Sequence, residues 1–300
     1  MLKLILRQAN WGIFGAIFGF SIGFFVKIYL IDIVGLDAWG KYVTVHTFSS
    51  ISETFLSIGI PYVIIKFIPN FVENNKDKAS KIASIFIRYA FIVGSIYLGV
   101  IYFFSSSINH FVYSDISDLN WLLFIMCINV PISMLFGVVI SLYRSVLKIK
   151  EIVLYGTLVN VTVRAILTFI IFQFTDDIAH FILLEVFTQI LVLSILLYLF
   201  NKNEFSVFVK SDTKVVTLDT KMVNYGRRMF YNSVVLFIST HVLSFIISIK
   251  LPSTDVGAYN ILLTLFSSNS SYNFTPEAID DDLQRFLNTN NITSEDFFKI

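Results

Sequence analysis

The chain has 300 residues, of which 56% are hydrophobic and 14% charged, and its mean hydropathy is +0.75. Soluble domains run at roughly 45 to 50% apolar and 25% charged residues, so a water-soluble globule of this size is excluded. A net charge of +1 leaves no basic footprint for nucleic acid, and one cysteine, Cys127, excludes both a disulfide framework and a thiolate metal site.

A stretch of roughly 20 apolar residues is needed to cross a bilayer. Seven such stretches follow one another near 10–34, 43–68, 82–105, 119–143, 152–174, 178–200 and 229–250. The first is too long for the apolar core of a cleaved signal peptide and is read as a retained helix. It carries Gly12, Gly15, Gly19 and Gly23 on one smooth stripe, the kind of surface that lets helix backbones approach closely. Lys27 and Asp32 lie in its far half, where snorkelling to the interface accounts for both, with a place on a substrate path as the alternative for Lys27.

The second stretch holds Glu53 about ten residues in, with Ser49 and Ser57 at helical spacing on the same face. Ionisable groups inside a span are expensive and usually face a cavity or a partner. Glu53 is therefore a cavity acid that takes a proton or cation, or one half of a structural ion pair. Pro61 in the second stretch and Pro131 in the fourth each remove a backbone donor and predict kinks. Arg88 falls about two turns into the third stretch, placed to snorkel or to meet a lipid diphosphate. Arg164 sits mid-depth in the fifth, suited to phosphate or an acidic sugar, or to an internal pair with Glu185 or Glu53. His241 lies near the middle of the seventh beside Ser244 and Ser248, either a proton relay or a ring hydrogen-bonded to a hydroxyl.

Lysine and arginine fall on alternate loops. One side holds Lys3, Arg7, Lys66, Lys76, Lys78, Lys81, Arg144, Lys148, Lys150 and the six basic residues of the 201–228 segment, while the other shows little beyond Lys41 and Lys250. Basic residues resist translocation, so the amino terminus is expected in the cytoplasm. An eighth helix starts at Gly257 and runs to about Ser268, too short to span. Beyond it, residues 269–300 form a polar tail with Glu277, Asp280, Asp281, Asp282, Glu295 and Asp296 against Arg285 and Lys299, with a short soluble helix expected from Pro276.

Two parts of the chain echo one another. Gly40, Tyr42, Thr47 and Ser50 recur at one constant offset as Gly257, Tyr259, Thr264 and Ser267, and Asn10-Trp11-Gly12 before the first stretch matches Asn224-Tyr225-Gly226 before the seventh. Transporters are often built from such repeats. The expected organisation is a six-helix bundle over 1–200, a cytoplasmic linker over 201–223, the start of a second transmembrane half over 224–268, and the acidic tail.

Asn10-Trp11-Gly12 with the glycine-rich first helix, the Gly35-Leu36-Asp37-Ala38-Trp39-Gly40-Lys41-Tyr42 loop, and Gly59-Ile60-Pro61 with Lys66-Phe67 resemble the polysaccharide exporters. Among these the chain resembles the Wzx-type flippases of O-antigen and capsule repeat units, in the MATE-like exporter superfamily. The resemblance implies an all-α integral membrane protein with two six-helix bundles around a central cavity that faces each side of the bacterial inner membrane in turn. Of these, the chain is expected to hold one complete N-terminal six-helix bundle, helix seven and part of helix eight. It also implies an undecaprenyl-diphosphate-linked oligosaccharide as substrate, and partners among membrane lipids and polysaccharide assembly proteins. Such families carry about twelve helices or more, so a frameshifted, truncated or split reading frame is expected, giving either an inactive remnant or a subunit completed by a second polypeptide that carries the missing helices.

The expected substrate-binding residues are Lys27, Glu53, Arg88, Arg164 and His241, with no cofactor and no metal. A small-molecule exporter remains an alternative on the same architecture. A glycan polymerase or acyltransferase is a further alternative, disfavoured because His46, His110, His180 and His241 are scattered and neither a phosphate-binding glycine loop nor a GxSxG turn occurs.

Overall fold

The structure is a computed structural model that describes residues 2–113, 116–208 and 219–269. The acidic tail beyond Asn269 and the middle of the 201–223 linker lie outside the described residues. Everything described is helix and connecting turn: α1 (Leu2–Leu56), α2 (Ile60–Asn74), α3 (Lys76–Tyr113), α4 (Leu119–Ser145), α5 (Ile149–Ile171), α6 (Ile178–Asn203), α7 (Thr220–Lys250) and α8 (Ser253–Asn269). The chain is a multi-pass, all-helical membrane protein.

The seven expected stretches are partitioned differently by the backbone. Among the described residues, five helices are long and apolar enough to cross a bilayer, or six when the bent α7 is included. The difference begins in α1, where the first two stretches run on without the expected loop and only Gly35 (φ 81°, ψ 169°) leaves helical geometry. Glycine alone adopts that left-handed conformation without strain, so one residue divides α1 into two arms, 2–34 and 36–56. The second arm is roughly 30 Å long at 1.5 Å per residue, about one hydrocarbon core.

The second stretch does not kink at Pro61; it breaks before it. Ile58 (φ 44°) and Gly59 (φ 68°) are left-handed, and Pro61 sits in the first turn of α2, where its missing N–H costs nothing. Within α5, residues Ile152–Val159 form a π-helix, a wider turn that is common near functional sites. In α7 the segments Thr220–Ser239 and His241–Lys250 meet at 54°. The short eighth helix is present, one turn longer at its start than expected.

Large apolar side chains are buried in two clusters. One gathers Ile64, Ile68, Ile82, Leu142, Leu196 and Phe200 at the end where α2 turns into α3; the other gathers Leu30, Val45, Leu119, Leu123, Met126 and Ile182 at the Gly35 end. Outward-facing residues are apolar as well, including Phe25, Phe103, Phe111 and Phe174. A surface of that kind is stable only against lipid, where each helix satisfies its own backbone. The hydroxyls of the second arm follow the same rule, with Thr44, Thr47, Ser50, Ser52 and Thr54, and Ser57 just past its end, each donating to the carbonyl four residues back.

Two residues of the sequence repeat meet face to face. A Cβ on Gly40 would lie 1.6 Å from the Ser253 carbonyl oxygen, and one on Gly257 would lie 2.5 Å from that of Leu36. Leu36 and Ser253 are themselves separated by the offset that relates Gly40 to Gly257. The contact is therefore reciprocal, as a local two-fold axis between α1 and α8 requires. Near the opposite end, a Cβ on Gly59 would lie 2.4 Å from the Gly226 carbonyl oxygen, so α7 also meets the α1–α2 break at backbone distance. Of the four glycines in the first-arm stripe, Gly15 and Gly19 pack on Val153 and Thr157 of α5, while Gly12 and Gly23 face open space.

Candidate functional site

Gly23 opens onto a cavity of about 260 Å³, lined also by Lys27, Trp39, Tyr42, His46, Arg164 and Glu185. Four chain segments supply it. Lys27 comes from the first arm of α1 and Trp39, Tyr42 and His46 from the second. The last three recur at spacings of three and four and so share one helical face. Arg164 comes from α5 just beyond the π-helical stretch, and Glu185 with Phe181 from α6. Ligand sites typically enclose roughly 300–1,000 Å³, so this cavity suits one group of a larger molecule.

Its polar groups form two sets. Arg164 Nη1 lies 2.7 Å from Glu185 Oε1, and the Tyr42 hydroxyl donates to Glu185 Oε2 at 3.1 Å. The guanidinium also sits over the Phe181 ring at 5.9 Å. In the second set, Lys27 Nζ donates to the Asn260 carbonyl at 2.9 Å, to Asn260 Oδ1 at 2.7 Å and to Thr264 Oγ1. Trp39 Nε1 donates to the same Asn260 Oδ1 at 3.3 Å, and its ring lies 5.6 Å from the Lys27 ammonium. Arg164 and Glu185 neutralise one another, which leaves Lys27 as the excess charge among the lining residues. Trp39 and Tyr42 stand 4.8 Å apart and present an aromatic wall beside it.

Two of the five expected site residues thus come together, and three do not. Lys27 turns inward to α8 and lines the cavity, so interfacial snorkelling does not describe it. Arg164 pairs with Glu185 and not with Glu53. Glu53 lies farther along the second arm, half-buried, with no hydrogen bond or ion pair to its carboxylate among the described residues, and Ser57 donates only to its backbone carbonyl. Arg88 lines a separate, mostly apolar cavity of about 480 Å³ with Ile87, Phe91, Leu135, Leu197 and Phe208. His241 sits at the α7 bend, stacked on Phe237 at 4.7 Å, with no hydrogen bond to a hydroxyl among the described residues, and within electrostatic reach of His46.

Sequence reasoning missed Asn260 altogether and placed Trp39 and Tyr42 in a loop. The available signal was the repeat itself, because the copy of the Gly40–Ser50 segment that contains Thr264 also contains Asn260. No group of three or more metal-ligating side chains occurs among the described residues.

Comparison with known proteins adds three findings. The family described as "Polysaccharide biosynthesis protein" matches residues 5–273. No match is found among curated proteins. A solved structure described as "protein A" is similar in fold, with a TM-score of 0.68 and 14% sequence identity over 88% of this chain and 60% of that one. The present chain accordingly spans 60% of the length of that relative.

Proposed function

The chain belongs to that polysaccharide biosynthesis family, and from this premise we propose that it is a Wzx-type flippase acting on undecaprenyl-diphosphate-linked oligosaccharides. The activity serves O-antigen or capsule assembly and places the protein in a bacterial inner membrane with its amino terminus in the cytoplasm. It requires no covalent chemistry, only a site among the membrane helices that binds the polar part of an amphiphile.

The observation that carries this reading is the cavity between the two arms of α1, α5 and α6. It combines one uncompensated ammonium, Lys27, with the Trp39 and Tyr42 rings. A cation in a low-dielectric site attracts phosphate or acidic sugars, and an aromatic wall stacks on the apolar face of a sugar ring. Lys27 also reaches α8, the second copy of the sequence repeat, through Asn260 and Thr264. Substrate and membrane lipids are the partners this requires, with other polysaccharide assembly proteins acting before and after.

The test is complementation. Cells that lack their own flippase receive this chain, or this chain joined to a further set of second-half helices, and surface polysaccharide is measured. Restoration by either form, lost on Lys27→Gln, upholds the reading. Failure of both, with the proteins present in the membrane, overturns it and favours the small-molecule exporter.

A further inference from the structure

One ammonium does two things in this structure. It is the excess charge of the cavity, and it ties the first arm of α1 to α8 near the Gly40–Gly257 crossing. An ammonium has three N–H donors, and Lys27 directs them to the Asn260 carbonyl, Asn260 Oδ1 and Thr264 Oγ1, which are all uncharged and all on α8. The cavity carboxylate, Glu185, is already engaged by Arg164 and Tyr42. Lys27 therefore holds two parts of the chain together through acceptors weaker than an anion.

We infer that Lys27 is an anion-operated latch: a phosphate or diphosphate entering the cavity takes the ammonium from Asn260 and Thr264 and so frees α8 from the first arm of α1. A ligand shifts a conformational equilibrium only by its difference in affinity for the two states. That difference is built in here, because the Lys27 donors are committed to α8 while the latch is closed and available to an anion once it opens. A phosphate oxygen adds to the hydrogen bond a direct charge–charge attraction that the uncharged oxygens of Asn260 and Thr264 lack, and a low-dielectric surrounding strengthens it. The exchange therefore favours the open state when a phosphate is present. The other ties at this end, the Trp39 hydrogen bond to Asn260 and the Gly40–Gly257 crossing, come from the second arm of α1, so they do not hold the first arm to α8.

The inference rests on the cavity being the substrate site, but its test needs no substrate lipid. Spin labels on cysteines replacing the exposed residues Ile28 on α1 and Leu262 on α8, in a Cys127→Ala background, report the distance between the two helices. Inorganic pyrophosphate is the probe. The expected result is a longer distance on adding pyrophosphate, a response kept by Lys27→Arg and weakened by about tenfold or more in half-saturating concentration by Lys27→Gln, the loss of one charge-assisted bond. Asn260→Ala combined with Thr264→Val lengthens the distance without pyrophosphate.

The latch is overturned by an unchanged distance in the parent protein, by an equal response in Lys27→Gln, or by no change in the Asn260→Ala, Thr264→Val variant. A full pyrophosphate response in a protein that fails complementation leaves the latch standing and removes the flippase reading. Complementation without a pyrophosphate response does the reverse.

Discussion

Replacing Gly40 by alanine adds one methyl at the point where α1 and α8 touch. That Cβ would lie 1.6 Å from the Ser253 carbonyl oxygen, 2.5 Å from its carbon and 3.1 Å from the Gly257 nitrogen. Non-bonded carbon and oxygen rest at more than about 3 Å, and the obstructing atoms are backbone, so no rotamer change relieves the clash. The helices must separate by about 1.5 Å, which also stretches the Lys27 bonds to Asn260 and Thr264. Overpacking of this kind costs about 1–3 kcal/mol, and a rigid obstacle puts Gly40→Ala at the upper end. At about 2 °C per kcal/mol for a chain of this size, the unfolding midpoint of the purified protein in detergent should fall by about 4–6 °C. Gly257→Ala, with its closest contact at 2.5 Å, should fall by less. Gly99→Ala and Gly137→Ala are the controls, since a Cβ there meets nothing within 4 Å and alanine is the better helix former. A Gly40→Ala midpoint equal to those of the controls would refute the crossing.

Further outcomes are expected from the same geometry. Arg164→Gln or Glu185→Gln alone should destabilise the protein by on the order of 3 kcal/mol, because each leaves a partly buried charge without its partner, and the double variant should recover much of that loss in a thermal-unfolding cycle. Trp39→Phe keeps an aromatic ring but loses the indole N–H to Asn260, so polysaccharide export measured at the cell surface should fall while the protein remains in the membrane. Gly94→Ala should be less stable than the wild type in the same melting assay, since its Cβ would sit 2.3 Å from the Pro131 Cβ. For orientation, a cysteine at Asp37 should react with an impermeant maleimide in whole cells and one at Lys148 only in inverted vesicles.

The membrane class and the helical architecture were legible from composition and apolar run length, because the bilayer demands both. The number of continuous helices was not, and the reason is local. Apolar run length does not distinguish a loop from a single left-handed residue, so Gly35 reads as part of a connection although it is the whole of one. Pro61 was read as a kink because the sequence shows the missing donor but not the left-handed Ile58 and Gly59 before it.

The site was half legible. Charges inside apolar stretches are rare enough to single out Lys27 and Arg164, and cost alone offered Arg164 a partner in Glu185 or Glu53, of which the structure takes Glu185. Which way Lys27 turned depended on Asn260, an uncharged residue with no individual signal. Arg88 carried the same cost argument as Lys27 yet lines a different cavity, because depth along a helix says nothing about which neighbour it faces. The repeat was the better guide, since Gly40 and Gly257 were paired in sequence before they were seen to touch.

The most direct measurement is lipid-linked oligosaccharide inversion by the purified protein in liposomes, read as the fraction of glycan that becomes accessible to an added glycan-cleaving enzyme. The account predicts accessibility well above that of protein-free liposomes, reduced by Lys27→Gln and by Gly40→Ala but not by Gly99→Ala. Accessibility equal to protein-free liposomes, from protein that retains its unfolding midpoint, would contradict it.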